Sequence, residues 1–273
     1  MRLGSVIDIG WRARELLDGA PLARVLAPMR ASIYIVVAGE ILWLGGPADV
    51  MHPRAVRLSE PPDPSDLVAC DTLSVPSCTV GAWRPAPLSR DPRAAAALRR
   101  GADRLAKRAL TLGEPTGFGA WLVARPLAFP LTGAGKSADA LARACTSDNA
   151  AGAAEAALAL LGLGAGLTPS GDDFVGGAFF ARAALALLGE ADAAWPQAAA
   201  TVRVAAGAAT NAISAALLED LLDGHGWSPL HDLARALASD DESAATDAAS
   251  RLTRLGHSSG WDLLAGFVAG AAR

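Results

Sequence analysis

Two stretches of this 273-residue chain combine glycine, hydroxyl and carboxylate residues at spacings that suit ligand binding. The first is Leu161-Gly-Leu-Gly-Ala-Gly-Leu-Thr-Pro-Ser-Gly-Asp-Asp-Phe-Val-Gly-Gly177. Glycine weakens helices and strands, so Gly162, Gly164 and Gly166 predict a sharply turning loop. The apolar run from Phe174 predicts a helix after the loop. A glycine loop that leads into a helix gathers free backbone N–H groups at one place, and such places bind ligands.

A similar pattern returns near the C-terminus, in Gly256-His-Ser-Ser-Gly-Trp-Asp-Leu-Leu-Ala-Gly266. Each copy predicts a loop, a serine cap, a carboxylate at the third helical position and an apolar helix with a small residue one turn in. Two interpretations are open. Either two helices are capped alike and carry glycines where helices cross closely, or two helix N-termini converge on one site. Alignment of the copies pairs Ser170 with Ser259, Gly171 with Gly260, Asp173 with Asp262, and Gly177 with Gly266.

The sequence predicts different roles for the two neighbouring aspartates. Ser170 followed by Asp173 has the spacing of a capping box, which would occupy Asp173 at the helix N-terminus. Asp172 is then freer to act, and we take Asp172 and His257 as the candidate catalytic residues. One carboxylate already offsets the partial positive charge of a helix N-terminus, so two make it net negative. Such a pair suits the amide or amine end of a ligand, a hydrogen-bonded base or a hard cation.

The candidate substrate-binding residues come from the same two loops and from one lysine. They offer backbone N–H groups, hydroxyls, carboxylates and one cation. We assign no metal ligands and no cofactor, because the four histidines form no ligand-like cluster. The candidates are Gly164, Gly166, Thr168, Ser170, Gly171, Asp173, Ser258, Ser259, Gly260, Asp262 and Lys136.

Three weaker patterns are further candidates for functional sites. Gly133-Ala-Gly-Lys-Ser137 matches only the end of a phosphate-binding loop, because Pro130 stands at the first glycine position, so we favour Lys136 as a lone anion contact. Gly256-His-Ser-Ser-Gly260 fits the serine-hydrolase elbow, but no histidine follows Ser258 in the chain. Thr210 and Ser214 lie one helical turn apart. They form either a polar seam that lines the same site or a close-packed interface of small residues.

The two motifs together resemble the family of the AllH subunit of oxamate carbamoyltransferase. The residues that carry the resemblance are Gly-Leu-Gly-x-Gly-Leu-Thr-Pro-Ser-Gly-Asp-Asp-Phe and the late Gly-His-x-Ser-Gly-x-Asp-x-Leu-x-Gly. The N-terminal half is similar only in outline, around Ile33 to Leu58 with its His52-Pro53-Arg54. The resemblance implies a cytoplasmic protein that works with partner subunits on a carbamoyl group.

From this resemblance we expect a subunit of an oxamate-type carbamoyltransferase complex that binds a small carboxylated or amide metabolite at the glycine loop. The Ser-x-Arg-Thr type of carbamoyl-phosphate loop is missing from the chain. Either partner subunits complete the site, or the chemistry uses another scaffold. The alternative is a non-catalytic metabolite-binding or assembly subunit, and a homo-oligomer is also compatible with the sequence.

Composition narrows the classes of partner. The formal net charge of −4 and the pI of about 5.6 argue against nucleic acid. Cys70, Cys78 and Cys145 form no C-x-x-C pair, which favours a reduced, cytoplasmic setting. The longest uncharged stretch, residues 156–171, is too short for a membrane span, and the N-terminus lacks the apolar core of a signal peptide.

Outside the two motifs, hydrophobic patterning predicts an α+β protein. Residues 1–132 form a β-rich domain with one or two helices, and residues 133–273 form a helical domain that carries both motifs. In the first part we expect a helix within residues 5–26, a hairpin over 33–44, a strand over 54–58, a helix over 91–110 and a strand within 119–131. In the second part we expect helices over 138–146, 150–162, 171–189, 196–222, 229–238, 243–254 and 260–271.

Overall fold

The computed structural model describes residues 3–18, 22–63, 67–69, 71–76, 79–89 and 91–272. It divides into two compact units, Met1–Pro85 and Ala86–Arg273. The first unit contains the strands and the second is helical, so the predicted α+β class is confirmed. Cys70 and Cys78 lie outside the described residues.

The first unit is built on a seven-stranded mixed sheet with the order β6-β2-β3-β4-β5-β1-β7. Its strands are β1 Val6–Gly10, β2 Leu22–Pro28, β3 Ile33–Val37, β4 Glu40–Gly45, β5 Ala55–Leu58, β6 Thr72–Ser74 and β7 Ala82–Trp83, and helix α1, Trp11–Leu17, follows β1. Strands β3 and β4 form the predicted hairpin, with Ile33 opposite Leu44. The sheet is mixed because β5 pairs with β4, and β7 with β1, in parallel.

The helix that we predicted within residues 5–26 covers only Trp11–Leu17, because strands occupy both sides of it. The apolar Val6, Ile9 and Val25 point into the core of the sheet rather than along one helix face. The His52-Pro53-Arg54 segment is buried within this unit. Arg54 is buried and its guanidinium donates to Glu40 Oε2 at 2.8 Å and to the carbonyl oxygen of Ile41 at 3.3 Å.

The second unit consists of packed helices joined by short loops. They are α2 Ala94–Lys107, α3 Gly119–Leu122, α4 Gly135–Thr146, α5 Ala150–Leu158, α6 Ser170–Leu187, α7 Ala194–Ala209, α8 Ala212–Leu222, α9 Ser228–Ala238, α10 Glu242–Leu252 and α11 Ser259–Ala271. A short 3-10 helix, Ala109–Leu112, follows α2. In the part of the chain that the structure describes, no helix is long and apolar enough to span a bilayer. The domain boundary that we predicted after residue 132 stays a prediction.

Two sequence-based predictions for this unit are wrong. Residues 119–131 are not a strand: they form α3, a turn and then an irregular segment that contains Pro126 and Pro130. Residues 196–222 are not one helix, because the helical conformation is interrupted at Thr210 and Asn211. The side-chain oxygen of Asn211 accepts from the backbone N–H groups of Ile213 and Ser214 and so begins a new helix.

Helices α6 and α11 form the centre of this unit, and their backbones approach closely. A Cβ atom on Gly266 would lie 1.9 Å from the carbonyl oxygen of Phe174, and one on Gly270 would lie 2.2 Å from that of Ala178. On each helix these contacts advance by four residues in the same direction. The two helices therefore run parallel, and their N-termini lie at the same end of the unit.

Candidate functional site

The two motifs meet at the N-termini of α6 and α11. Thr168 Oγ1 lies 2.9 Å from Ser259 Oγ, and Ser170 Oγ lies 3.2 Å from Ser258 Oγ. Because hydroxyls of the two loops are hydrogen-bonded directly, the prediction that two helix N-termini converge is confirmed. The two motif loops are therefore joined by hydrogen bonds between their hydroxyl groups.

The glycine loop has the sharp turns that the sequence predicts. Gly162, Gly164 and Gly166 have φ values of 74°, 128° and 92°, which side chains rarely adopt. A Cβ atom on Gly164 would lie 2.5 Å from the backbone nitrogen of Ser170. At Gly166 a Cβ atom would meet nothing within 4 Å. Gly164 is thus required for a close approach, whereas Gly166 is required only for its backbone conformation.

The glycine after each serine serves close packing. A Cβ atom on Gly171 would lie 1.9 Å from the carbonyl oxygen of Leu160, and one on Gly260 would lie 1.9 Å from that of Leu252. The start of each helix therefore packs against backbone that comes shortly before it in the chain: the turn after α5 in one case and the last residue of α10 in the other. The glycines at a close helix crossing, which belong to the first interpretation, are instead those one turn into each helix: a Cβ atom on Gly177 would lie 2.3 Å from the carbonyl oxygen of Leu263, and Gly266 lies against Phe174.

The serine caps that we predicted are wrong. Helix α6 begins at Ser170 with Pro169 at the N-cap, and α11 begins at Ser259 with Ser258 at the N-cap; no side chain caps either helix. The carbonyl oxygen of Pro169 instead accepts from the backbone N–H groups of Asp172 and Asp173. The serine hydroxyls are not available for capping because they bond across to the other motif.

Asp172 is the most fully hydrogen-bonded carboxylate of the site. Its Oδ1 accepts from the Gly162 backbone N–H at 2.7 Å, and its Oδ2 accepts from Thr210 Oγ1 at 2.5 Å and Ser214 Oγ at 2.6 Å. The interpretation that Asp172 is the freer aspartate is therefore wrong. Thr210 and Ser214 form a polar seam against Asp172, and the prediction that this seam lines a ligand site stays a prediction. The catalytic role that we predicted for Asp172 stays a prediction.

Asp173 and Asp262 are the aspartates that lack full pairing. Both are buried, and each has an Oδ2 without a hydrogen-bond partner. Burial and then the nearby Asp262 raise the pKa of Asp173 well above its usual value, although the Ser259 hydroxyl lowers it. Burial raises the pKa of Asp262 to about 7 against the opposing effects of the Phe118 backbone N–H and two serine hydroxyls. The pKa values of both carboxyls are therefore raised, and burial is the largest cause in each case.

A segment that the sequence analysis missed, Glu114–Gly119, crosses the N-terminus of α11. The backbone N–H of Phe118 donates to Asp262 Oδ1 at 2.6 Å, and Thr116 Oγ1 donates to the carbonyl oxygen of His257 at 3.2 Å. Gly117 has a φ of 52°, and a Cβ atom there would lie 2.1 Å from Asp262 Oδ1. The glycines of Gly117-Phe-Gly119 were a usable signal, since both permit close contacts with α11 residues.

An open cleft of about 570 Å³ joins this segment to both motifs. Of the predicted site residues, Gly164, Ser170, His257 and Ser258 line it. Lys136 lies on the exposed start of α4 and does not line it. The other lining residues are Glu114, Pro115, Thr116, Gly117, Ala120, Arg125, Pro126, Ala128, Phe129, Pro130, Leu131 and Ala165.

Arg125 supplies the positive charge that the sequence analysis did not locate. Among the described residues that line the cleft it is the only arginine or lysine, and its guanidinium pairs with Glu114. Both side chains are exposed to solvent. No group of three histidine, cysteine, aspartate or glutamate side chains within the described ranges could hold a metal ion.

Comparison with protein families identifies the region that carries the motifs. The family model described as "Oxamate carbamoyltransferase subunit AllH" matches residues 160–271. This match covers the glycine loop, α6 and α11, and it confirms the resemblance over those residues. No curated protein matches the chain, and no solved structure does.

Proposed function

We propose that this chain is a subunit of an oxamate-type carbamoyltransferase complex and binds a small carboxylated or amide-bearing metabolite in the cleft. The observation that carries the proposal is the composition of the cleft wall. Ser170 from the first motif, Ser258 from the second, and Arg125 line the same 570 Å³ space. This volume falls within the range of small-molecule sites, about 300–1,000 Å³.

The chemistry of these groups suits a ligand with a carboxylate at one end and an amide at the other. The guanidinium of Arg125 presents a planar set of donors that matches a carboxylate. A ligand carboxylate would compete with Glu114 for Arg125. The hydroxyls of Ser170 and Ser258 both donate and accept, so they suit an amide group. Oxamate, which carries both groups, is therefore the first ligand to test.

Partner subunits, or further copies of this chain, are needed to complete the transfer site. Carbamoyl transfer from carbamoyl phosphate to a carboxylated acceptor places two anionic groups close together, and both require positive charge. Arg125 is the single arginine or lysine of the described cleft wall, and it is already paired with Glu114. We therefore expect weak or no turnover from this chain alone.

Calorimetry with oxamate and with carbamoyl phosphate tests the proposal, first with the chain alone and then with co-purified partners. We expect Arg125→Ala to weaken oxamate binding by about tenfold or more, which corresponds to the loss of a charge-assisted hydrogen bond. Arg143→Ala is the matched control, because Arg143 is an exposed arginine of α4 outside the cleft wall. Equal binding by the two variants would show that oxamate binds elsewhere.

The alternative function is a non-catalytic metabolite-binding or assembly subunit whose role is not tied to carbamoyl transfer. Activity that depends on mixing with partners is common to both functions, so the variants must separate them. An active-site subunit loses turnover in the mixed complex when Arg125 or Ser258 is replaced. An assembly subunit keeps turnover with those replacements. In either case we expect a cytoplasmic protein that binds neither nucleic acid nor membranes.

A further inference from the structure

Asp262 lies directly beneath the wall of the cleft. Three residues that line the cleft surround its carboxyl: Gly117, whose missing side chain leaves room for Oδ1, and Ser170 and Ser258, whose hydroxyls lower its pKa. The side chain itself is completely buried. Oδ1 accepts from the Phe118 backbone N–H at 2.6 Å, and Oδ2 has no partner in hydrogen-bonding geometry.

An unpartnered carboxylate oxygen in a dry position costs stability, since buried acceptors are normally satisfied. Asp172, on the adjacent helix, shows the contrast because all three of its close donors are in place. The fold supplies one fixed donor to Asp262 and leaves the other oxygen beside two hydroxyls that face the cleft. Such an arrangement leaves Oδ2 able to take up a proton.

We infer that Ser258 and Asp262 form a proton-accepting pair for the ligand in the cleft, with Asp262 acting through Ser258. This inference rests on the proposed function, in which an acceptor nitrogen must lose a proton as it gains the carbamoyl group. Ser258 Oγ receives the proton from the ligand nitrogen as its own hydroxyl proton passes to Asp262 Oδ2. Asp262 ends neutral, Ser258 is regenerated, and the lost proton leaves when Asp262 is deprotonated again.

The charged and titratable surroundings are compatible with this role. On α6, Asp173 faces Asp262, and Asp172 is the neighbour of Asp173 in the chain. His257 precedes Ser258 in the loop. Glu114 and Arg125 line the cleft. The pKa of Asp262 is about 7, so the carboxylate is substantially ionised near neutral pH. A base works best when its pKa lies near the working pH.

Infrared titration of the isolated chain tests the pair without any ligand. We expect a carboxyl band that titrates near pH 7, is lost in Asp262→Asn, and moves to higher pH in Ser258→Ala because a hydroxyl that lowers the pKa of Asp262 is removed. Asp220→Asn, at a buried position of α8 outside the cleft wall, is the control and should keep the band. A band that survives Asp262→Asn, or that ignores Ser258→Ala, would overturn the inference.

Kinetics of the assembled complex test the role in transfer. We expect Asp262→Asn to lower kcat roughly 100-fold or more, with little change in KM for oxamate, and to remove the limb of the pH profile near 7. Ser258→Ala should lower kcat similarly and also raise KM for oxamate, because the proposed function places its hydroxyl against the ligand amide. Ser258→Thr keeps a hydroxyl and should restore most of the rate. An unchanged pH profile in Asp262→Asn would overturn the inference. If the wild-type complex shows no transfer at all, the proposed function fails, and the infrared titration alone decides whether the pair exists.

Discussion

Gly266 of α11 lies against the carbonyl oxygen of Phe174 of α6 so closely that a Cβ atom would be 1.9 Å from that oxygen. Phe174 also stacks on Phe118, with ring centroids 4.5 Å apart, and Phe118 provides the backbone donor to Asp262. The crossing of α6 and α11 thus fixes both the parallel alignment of the helices and the segment that covers their N-termini. Packing and site geometry therefore both depend on this helix crossing.

Gly266→Ala should therefore destabilise the protein, by about 2 kcal/mol or more, because the new methyl group meets backbone that cannot move aside. Gly207→Ala is the control. Gly207 lies within α7, is exposed, and has open space where a Cβ atom would be added. It should gain about 0.5–1 kcal/mol from helix propensity alone. Urea unfolding measures both, and a stabilised Gly266→Ala would contradict the observed crossing.

Asp172→Ala should destabilise the protein by about 3 kcal/mol or more, because the Gly162 N–H and two hydroxyls lose their acceptor. Asp172→Asn should cost less, about 1 kcal/mol, since the amide oxygen still accepts from Gly162 while Thr210 and Ser214 can rotate to accept from the amide nitrogen. Thermal melts give the order. If Asp172→Ala melts like the wild-type protein, the hydrogen bonds contribute nothing and Asp172 has another role.

Most of the helical architecture was predictable because its signals are local. Apolar periodicity gave α4, α6, α9, α10 and α11 to within a few residues. The convergence of the two motifs was predictable from their repeated Ser-Gly-x-Asp pattern. This pattern occurs twice in the sequence, and both copies lie at the same end of the α6–α11 pair.

The hydrogen bonding within the site was not predictable, because it depends on tertiary contacts. The capping-box spacing of Ser170 and Asp173 is real, but Ser258 competes for the serine hydroxyl. Asp172 was predicted to be the freer aspartate because its donors, Gly162, Thr210 and Ser214, are separate from it in the chain. Arg125 belongs to no motif, so only the folded chain shows that it lines the cleft.

Asn211→Ala should destabilise the protein by about 1 kcal/mol through the lost cap of α8. Its side-chain oxygen accepts from two backbone N–H groups, and its amide nitrogen donates to the carbonyl oxygen of Leu167 at 3.0 Å. Asn149→Ala removes the cap of α5, which accepts from Gly152 alone, and should cost less. Because Asn211 also fixes the glycine loop, only Asn211→Ala should weaken oxamate binding. Equal binding by the two variants would show that the Leu167 contact does not order the loop.

Asp262→Asn should make the protein less sensitive to pH. Burial raises the pKa of Asp262 from 3.8 to about 7, so between these values the folded state holds a proton that the unfolded state has lost. The stability contributed by this proton is complete below pH 3.8 and is lost as the pH rises to about 7. Asp173 acts in the same direction, because its pKa is also raised.

The free energy of unfolding of Asp262→Asn relative to wild type should therefore increase between pH 4 and pH 8, by an amount on the order of 4 kcal/mol. The amide retains an oxygen that can accept from Phe118, so the variant should fold. Asp103→Asn, at an exposed position of α2, controls for the loss of one negative charge. Urea unfolding at the two pH values provides the measurement. A parallel pH dependence in wild type and Asp262→Asn would mean that Asp262 titrates normally and is not held in a dry position.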